Sequence, residues 1–235
     1  MKSNKAIKID DSLIRGSVRE VLNTARELLP EAYVTQAKPY ELRTEMLSEK
    51  NKKANLDILN SIIDFSNGVS AELDTVDRAE ANIYNSRFRS LKVDESYLVN
   101  SSFLTALHFG NISDMSSTIG MDSLAFMRLE RDFDTFDAWQ QDFIACAMSS
   151  RDGYVVTAYS NFLRRYISFI VDDGNRGILA SSIPVIVLKC TSGMYFRDYL
   201  GDRKSYIFAM MKELNWDAIE DRFKKADKVA EIMQK

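Results

Sequence analysis

The hydrophobic pattern of this chain changes character near its middle. Over residues 55–65 (NLDILNSIIDF), Leu56, Leu59, Ile62 and Ile63 recur at helical spacing and give one apolar face. Asn67-Gly68 follows as a helix stop. Residues 70–97 are polar and charged without a clear apolar face, which predicts a surface insertion, partly helical, and residues 98–109 recover hydrophobicity. Residues 121–133 and 136–148 predict two more helices, and Asp152-Gly153 marks a turn. Strand formers then take over in 154–159 (YVVTAY) and 166–171 (YISFIV), closed by the turn Asp172-Asp173-Gly174-Asn175. Residues 184–188 (PVIVL) form a short, nearly all-apolar third strand, and helices follow over 195–214 and 216–233.

This order predicts an α+β protein: an N-terminal helical hairpin-like region, then a C-terminal domain with a three-stranded antiparallel sheet packed with helices. The expected boundaries are an extension over 1–30, a helical domain over 31–117 with its variable insertion at 70–97, and the α+β domain over 118–235. Within the extension, residues 12–29 read as a helix with Leu13, Val18, Val21, Leu22 and Leu28 on its apolar face. Asp10, Asp11, Glu20 and Glu27 interrupt the basic residues there, which is not the acid-poor pattern of a matrix-targeting presequence.

A chain of 235 residues, 46% of them hydrophobic, can bury a sizeable core. The net charge of −3 argues against a protein that coats nucleic acid. The basic cluster Lys50, Lys52 and Lys53, and Arg164-Arg165 after Phe162, are enough for limited phosphate contact only. No apolar run reaches the length of a membrane span. Cys146 and Cys190 form neither a disulfide framework nor a zinc pattern and read as reduced thiols. There is no Gly-rich phosphate loop, nucleophile elbow or CxxC. Asp132, Asp134, Asp137 and Asp142 read as a solvated helix face.

Three local patterns point further. Leu129-Glu130-Arg131-Asp132-Phe133 resembles an "IERDFGS" helix end. The run from Tyr195 through Tyr199 to Tyr206 resembles "YYLDYxNRRxxY", and Leu214-Asn215-Trp216 resembles "VNW". Phe109-Gly110-Asn111-Ile112-Ser113 is a weaker match to "WNNLS". In this order and spacing they are similar to the iron/manganese superoxide dismutases.

That resemblance implies a metal held by three histidines and one aspartate, since a redox-cycling ion takes imidazole and carboxylate donors. The positions it assigns to them here are Leu47, Thr105, Lys189 and Gly193, and the chain's single histidine, His108, falls on none of them. Asn51 and Asn55 fall at the family's gateway positions, and Ser101 and Asp173 at the two locations of its outer-sphere glutamine. The expectation is therefore a chain without metal or other cofactor that is not an enzyme. An ammonium at the Lys189 position needs a partner when buried, and a buried Asp173–Lys189 pair is expected.

The surface around Ser192, Met194, Tyr195, Phe196 and Tyr199 is the expected interface. Metal-free relatives of this family occur in the small subunit of the mitochondrial ribosome. By that resemblance the chain is expected to be a structural subunit in the mitochondrial matrix. Its expected partners are other proteins of the assembly, including a superoxide-dismutase-like paralogue as heterodimer partner, with limited rRNA contact. The alternatives are a subunit of a respiratory or ATP synthase complex, or an enzyme with an unrecognised site.

Overall fold

The computed structural model describes residues 40–112 and 117–233. The 1–30 extension and its expected helix lie outside the described residues. Helix α1 spans Glu49–Thr75, with Ser48 accepting from the Asn51 N–H as its N-cap. It runs straight through Asn67-Gly68, so the expected stop is corrected. Gly68 sits in open space on an exposed face, and a single exposed helical glycine costs only about 1 kcal/mol. Packing outweighs that, because Leu73, beyond the glycine, is buried.

Helix α2, Arg87–Asn111, packs along α1, and the two are clamped where Arg87 Nε donates to Glu72 Oε1 at 2.6 Å. The expected insertion at 70–97 is thus the end of one long helix, a connection over 76–86, and the first turns of another.

Helices α3 (Leu124–Phe133) and α4 (Phe136–Ser149) precede the sheet strands β1 (Tyr154–Ser160), β2 (Arg165–Val171) and β3 (Ser182–Lys189). The sheet is antiparallel in the order β2-β1-β3. The central strand β1 is buried along its whole length, which explains its lack of polar alternation. Pro184 sits on an edge strand beside a register shift at Thr157/Ala158, where a missing N–H is tolerated.

Side chains of β1 alternate between the faces. Val155 and Tyr159 join the main core with Trp139, Phe143, Tyr206 and Phe223. Tyr154, Val156 and Ala158 face Leu104 of α2 in a second cluster. Helices α5 (Ser192–Tyr199), α6 (Arg203–Lys212) and α7 (Trp216–Met233) complete the described chain. The single helix expected over 195–214 is two. Leu200 takes a left-handed φ of 52°, and Asp202 caps α6 by accepting from the Ser205 N–H. Ala37–Lys235 forms one compact unit.

The residues of the local patterns act as staples. The Asp132 carboxylate accepts from the Tyr166 N–H at 2.7 Å and pairs with Arg131, so it is not on the solvated face the sequence suggested. Asp134, Asp137 and Asp142 are exposed. Asn215 caps α7 through the Ala218 N–H, and its own N–H donates to the Asn111 carbonyl at 2.7 Å. Arg222 of α7 donates to Asn111 Oδ1 and to the carbonyls of Val185 and Leu107, joining α7, α2 and β3. Gly110 leaves room for this guanidinium, because a Cβ there would collide with it.

Candidate functional site

The site forms where α1, α2, the β2–β3 turn and the end of β3 meet. Lys189, the last residue of β3, lies opposite Tyr154 in the sheet register. The Tyr154 hydroxyl shares a 2.8 Å hydrogen bond with Thr105 Oγ1 and lies 3.3 Å from the Ser101 carbonyl. Burial pushes this phenol up to about 12. Gly174 has φ +71°, and a Cβ there would come within 2.6 Å of Ser101 Oγ and 3.1 Å of the Tyr97 ring. Its bare backbone lets the β2–β3 turn close over α2. From α1, the Asn55 amide donates to Asn51 Oδ1 at 2.8 Å and to the carbonyls of Asn51 and Gly193.

These elements border an open cavity of about 370 Å³, lined by Asn55, Ser101, Tyr154, Asp152, Asp173 and Lys189 among others. Asn55, Ser101, Asp173, Lys189 and Gly193 therefore converge, as their assigned positions imply. Thr105 is buried behind the wall, through Tyr154. Leu47 is buried in the main core and does not line the cavity. Asp152, Tyr154 and Tyr97 line it as well, and the sequence alone does not place them there. In sequence Asp152 reads only as a turn residue. The register that sets Tyr154 opposite Lys189 brings the adjacent Asp152 to the same cavity.

Lys189 is the one buried charged group among the cavity's described lining residues. Lys189 is only 5% exposed, and burial pulls its ammonium down to about 8, with Asp152 acting weakly in the opposite sense. Asp173 lines the same cavity, but no ion pair joins it to Lys189. The expected Asp173–Lys189 pair is corrected on that ground: Asp173 is exposed at the turn, and Asp152 is the carboxylate whose charge reaches Lys189. Two buried polar atoms at this wall, Asn55 Oδ1 and Ser101 Oγ, have no hydrogen-bond partner.

His108 lies apart, fully buried, with both ring nitrogens lacking a well-formed hydrogen bond. Burial first, then the charge of Lys189, pull it down to about 3, so the imidazole is neutral at physiological pH.

The expected interface residues divide. Ser192 and Phe196 are exposed, Phe196 at 58%. Met194 is fully buried in the main core and is unavailable to a partner, which corrects that part of the reading. Tyr195 stacks on Tyr206, and the Tyr199 hydroxyl donates to the Met46 carbonyl at 2.7 Å. Asp198, between them, accepts from the Ser48 N–H and the Asn51 amide. Burial acts upward on this carboxyl, but those bonds outweigh it and hold it below its usual range.

The family model for iron/manganese superoxide dismutases, C-terminal domain, matches residues 123–222. The chain is 31% identical over 164 residues to a superoxide dismutase [Fe] of Aquifex pyrophilus, covering 70% of this chain and 76% of that protein. It is 30% identical to a superoxide dismutase [Fe] of Aquifex aeolicus, with the same coverage. It is 28% identical over 159 residues to one of Cupriavidus metallidurans, covering 67% of this chain and 78% of the relative. The chain belongs to the iron/manganese superoxide dismutase family. The expectation that it is not an enzyme is corrected by these comparisons, because the relatives carry the names of enzymes.

The family implies iron or manganese. The residues at the cavity do not fit that ion. Lys189 brings a positive charge where a cation would sit, and like charges in a poorly solvated site repel strongly. Asn55, Ser101 and Thr191 offer weak neutral oxygens and amide groups, Asp152 and Asp173 add two carboxylates, and none of the described lining residues brings an imidazole. Among the described residues, no group of three or more His, Cys, Asp or Glu is placed to hold a metal.

Proposed function

We propose that this family member works as a protein-binding subunit of a larger mitochondrial assembly, with the small subunit of the mitochondrial ribosome as its place. One observation carries the reading: aromatic and aliphatic side chains stand far out of the surface along one helical arm and its neighbour. Phe65 is 67% exposed, Ile83 78% and Tyr84 85%, and Phe196 of α5 is 58% exposed. Such side chains are the anchors that protein interfaces bury. The resemblance to metal-free relatives of the mitochondrial ribosome supports the same reading, with a superoxide-dismutase-like paralogue as partner and limited rRNA contact. The test is sedimentation of organelle lysate with this protein followed across the gradient, repeated at low magnesium. Co-migration with the small ribosomal subunit is the expected result. Migration as a small free species, or with a respiratory or ATP synthase complex, overturns it.

A second reading is superoxide dismutation, favoured by the enzymes with which the chain shares up to 31% identity. It requires donors that the cavity residues do not supply. Metal analysis of the purified protein, together with a superoxide-consumption assay, decides it. Stoichiometric iron or manganese with activity establishes this reading, and metal-free protein without activity removes it.

A further inference from the structure

The cavity at Lys189 holds chemistry that the assembly reading does not use. Its lining residues include Lys189, whose ammonium has no ion-pair partner among the described residues, and Ser101 and Asn55, whose hydroxyl and carbonyl oxygens are buried without a hydrogen-bond partner. All three residues are buried. The Asn55 amide cannot rotate to rescue that oxygen without losing its bonds to Asn51 and Gly193. A ligand that satisfies these groups accepts from Lys189, donates to Asn55 Oδ1 and exchanges a hydrogen bond with the Ser101 hydroxyl, for which an acceptor oxygen serves. Buried polar groups left unmatched are costly, so a molecule with this complement is held selectively.

The remaining charged groups lining the cavity are the exposed carboxylates Asp152 and Asp173. They disfavour a multiply charged anion. A small monoanion that keeps at least one proton meets these conditions, since it offers acceptor oxygens and an O–H.

We propose that this cavity binds a small oxyanion that retains a proton, of the hydrogencarbonate or monobasic phosphate type, through Lys189, Ser101 and the Asn55 carbonyl oxygen. The site is independent of the assembly reading, because its residues lie on the cavity wall and not on the exposed aromatic surface.

The experiment is calorimetric titration of the full chain with sodium hydrogencarbonate and with inorganic phosphate, at neutral pH and constant ionic strength set by chloride. Nitrate serves as the comparison, being a planar monoanion without a proton. Saturable binding of hydrogencarbonate or phosphate is expected, with nitrate weaker by about tenfold because it leaves Asn55 Oδ1 unmatched. Lys189→Met, shown by circular dichroism to be folded, is expected to lose binding by at least about tenfold, since a hydrogen bond to a charged group is removed. Ser101→Ala provides a milder second variant with binding weakened severalfold. Binding of hydrogencarbonate no stronger than nitrate, or unchanged in Lys189→Met, overturns the proposal, as does the absence of saturable binding by either oxyanion.

Discussion

Thr105 Oγ1 and the Tyr154 hydroxyl lie 2.8 Å apart in a fully enclosed contact that joins α2 to the central strand. Replacing Thr105 by valine keeps the volume and leaves the phenol only its longer bond to the Ser101 carbonyl. Thr105→Val is expected to lower stability by about 0.5–1.5 kcal/mol, the net worth of one buried hydrogen bond. Chemical denaturation of the variant against the parent protein checks this. Tyr154→Phe in the Thr105→Val background should then cost less than it does alone.

Lys189 gives a pH signature. Its folded value is lowered to about 8 from 10.5, so between those values the unfolded chain holds a proton that the folded chain does not. Stability from this group is therefore fully present above about 10.5 and is lost as pH falls through about 8. Lys189→Met is expected to be more stable than the parent at neutral pH by up to about 3 kcal/mol, with the difference closing as pH rises. Melting temperatures of the two proteins in oxyanion-free buffer, across that pH range, test it. Asp173→Asn should change stability by less than about 0.5 kcal/mol, since Asp173 is exposed and makes no ion pair with the lysine.

His108 acts in the acid range. Its value falls to about 3 in the fold from 6.5, so the unfolded chain takes up a proton first as pH drops. The stability it contributes is complete above about 6.5 and is lost toward about 3. His108→Leu is expected to flatten the acid limb of the stability profile by roughly 2–4 kcal/mol, measured as the difference between the two proteins rather than in either alone.

Gly110 faces a guanidinium tied to three acceptors. In an ordinary helix, alanine would be the better residue by about 1 kcal/mol. Here Gly110→Ala is expected to destabilise by about 1–3 kcal/mol, because Arg222 must leave its acceptors to make room. A gain in stability on urea unfolding would show that the guanidinium relocates freely.

Much of this fold was legible where local signals and tertiary packing agree. Helix α7 begins at Trp216 and ends at Met233 as its pattern predicts, because Asn215 caps it and Ile219, Phe223, Ala226 and Ala230 form one buried stripe. The strands were legible for the same reason. Asn67-Gly68 misled because a turn-forming pair has only a weak veto when the residues beyond it are packed. The break at Leu200 was missed, although Gly201-Asp202 carried the signal of a new N-cap.

At the site, Lys189 and Gly193, which the family resemblance puts near each other, both line the cavity. Charge partnership did not follow from those positions, since it depends on which turn carries which carboxylate to the cavity. Met194 shows the same limit: next to exposed residues in sequence, it points into the core.

The arm made by α1 and α2 has a mechanical consequence. A helix of 27 residues is about 40 Å long. Its far end rests on Leu73 and Leu91, which belong to neither large apolar cluster, and on the Arg87–Glu72 clamp. That end behaves as an outrigger with its own small stability. Amide exchange there is expected to proceed by local fraying, at a fraction of the free energy needed to open the sheet. A partner gripping Ile83 and Tyr84 would slow that exchange while leaving the exchange of β1 unchanged.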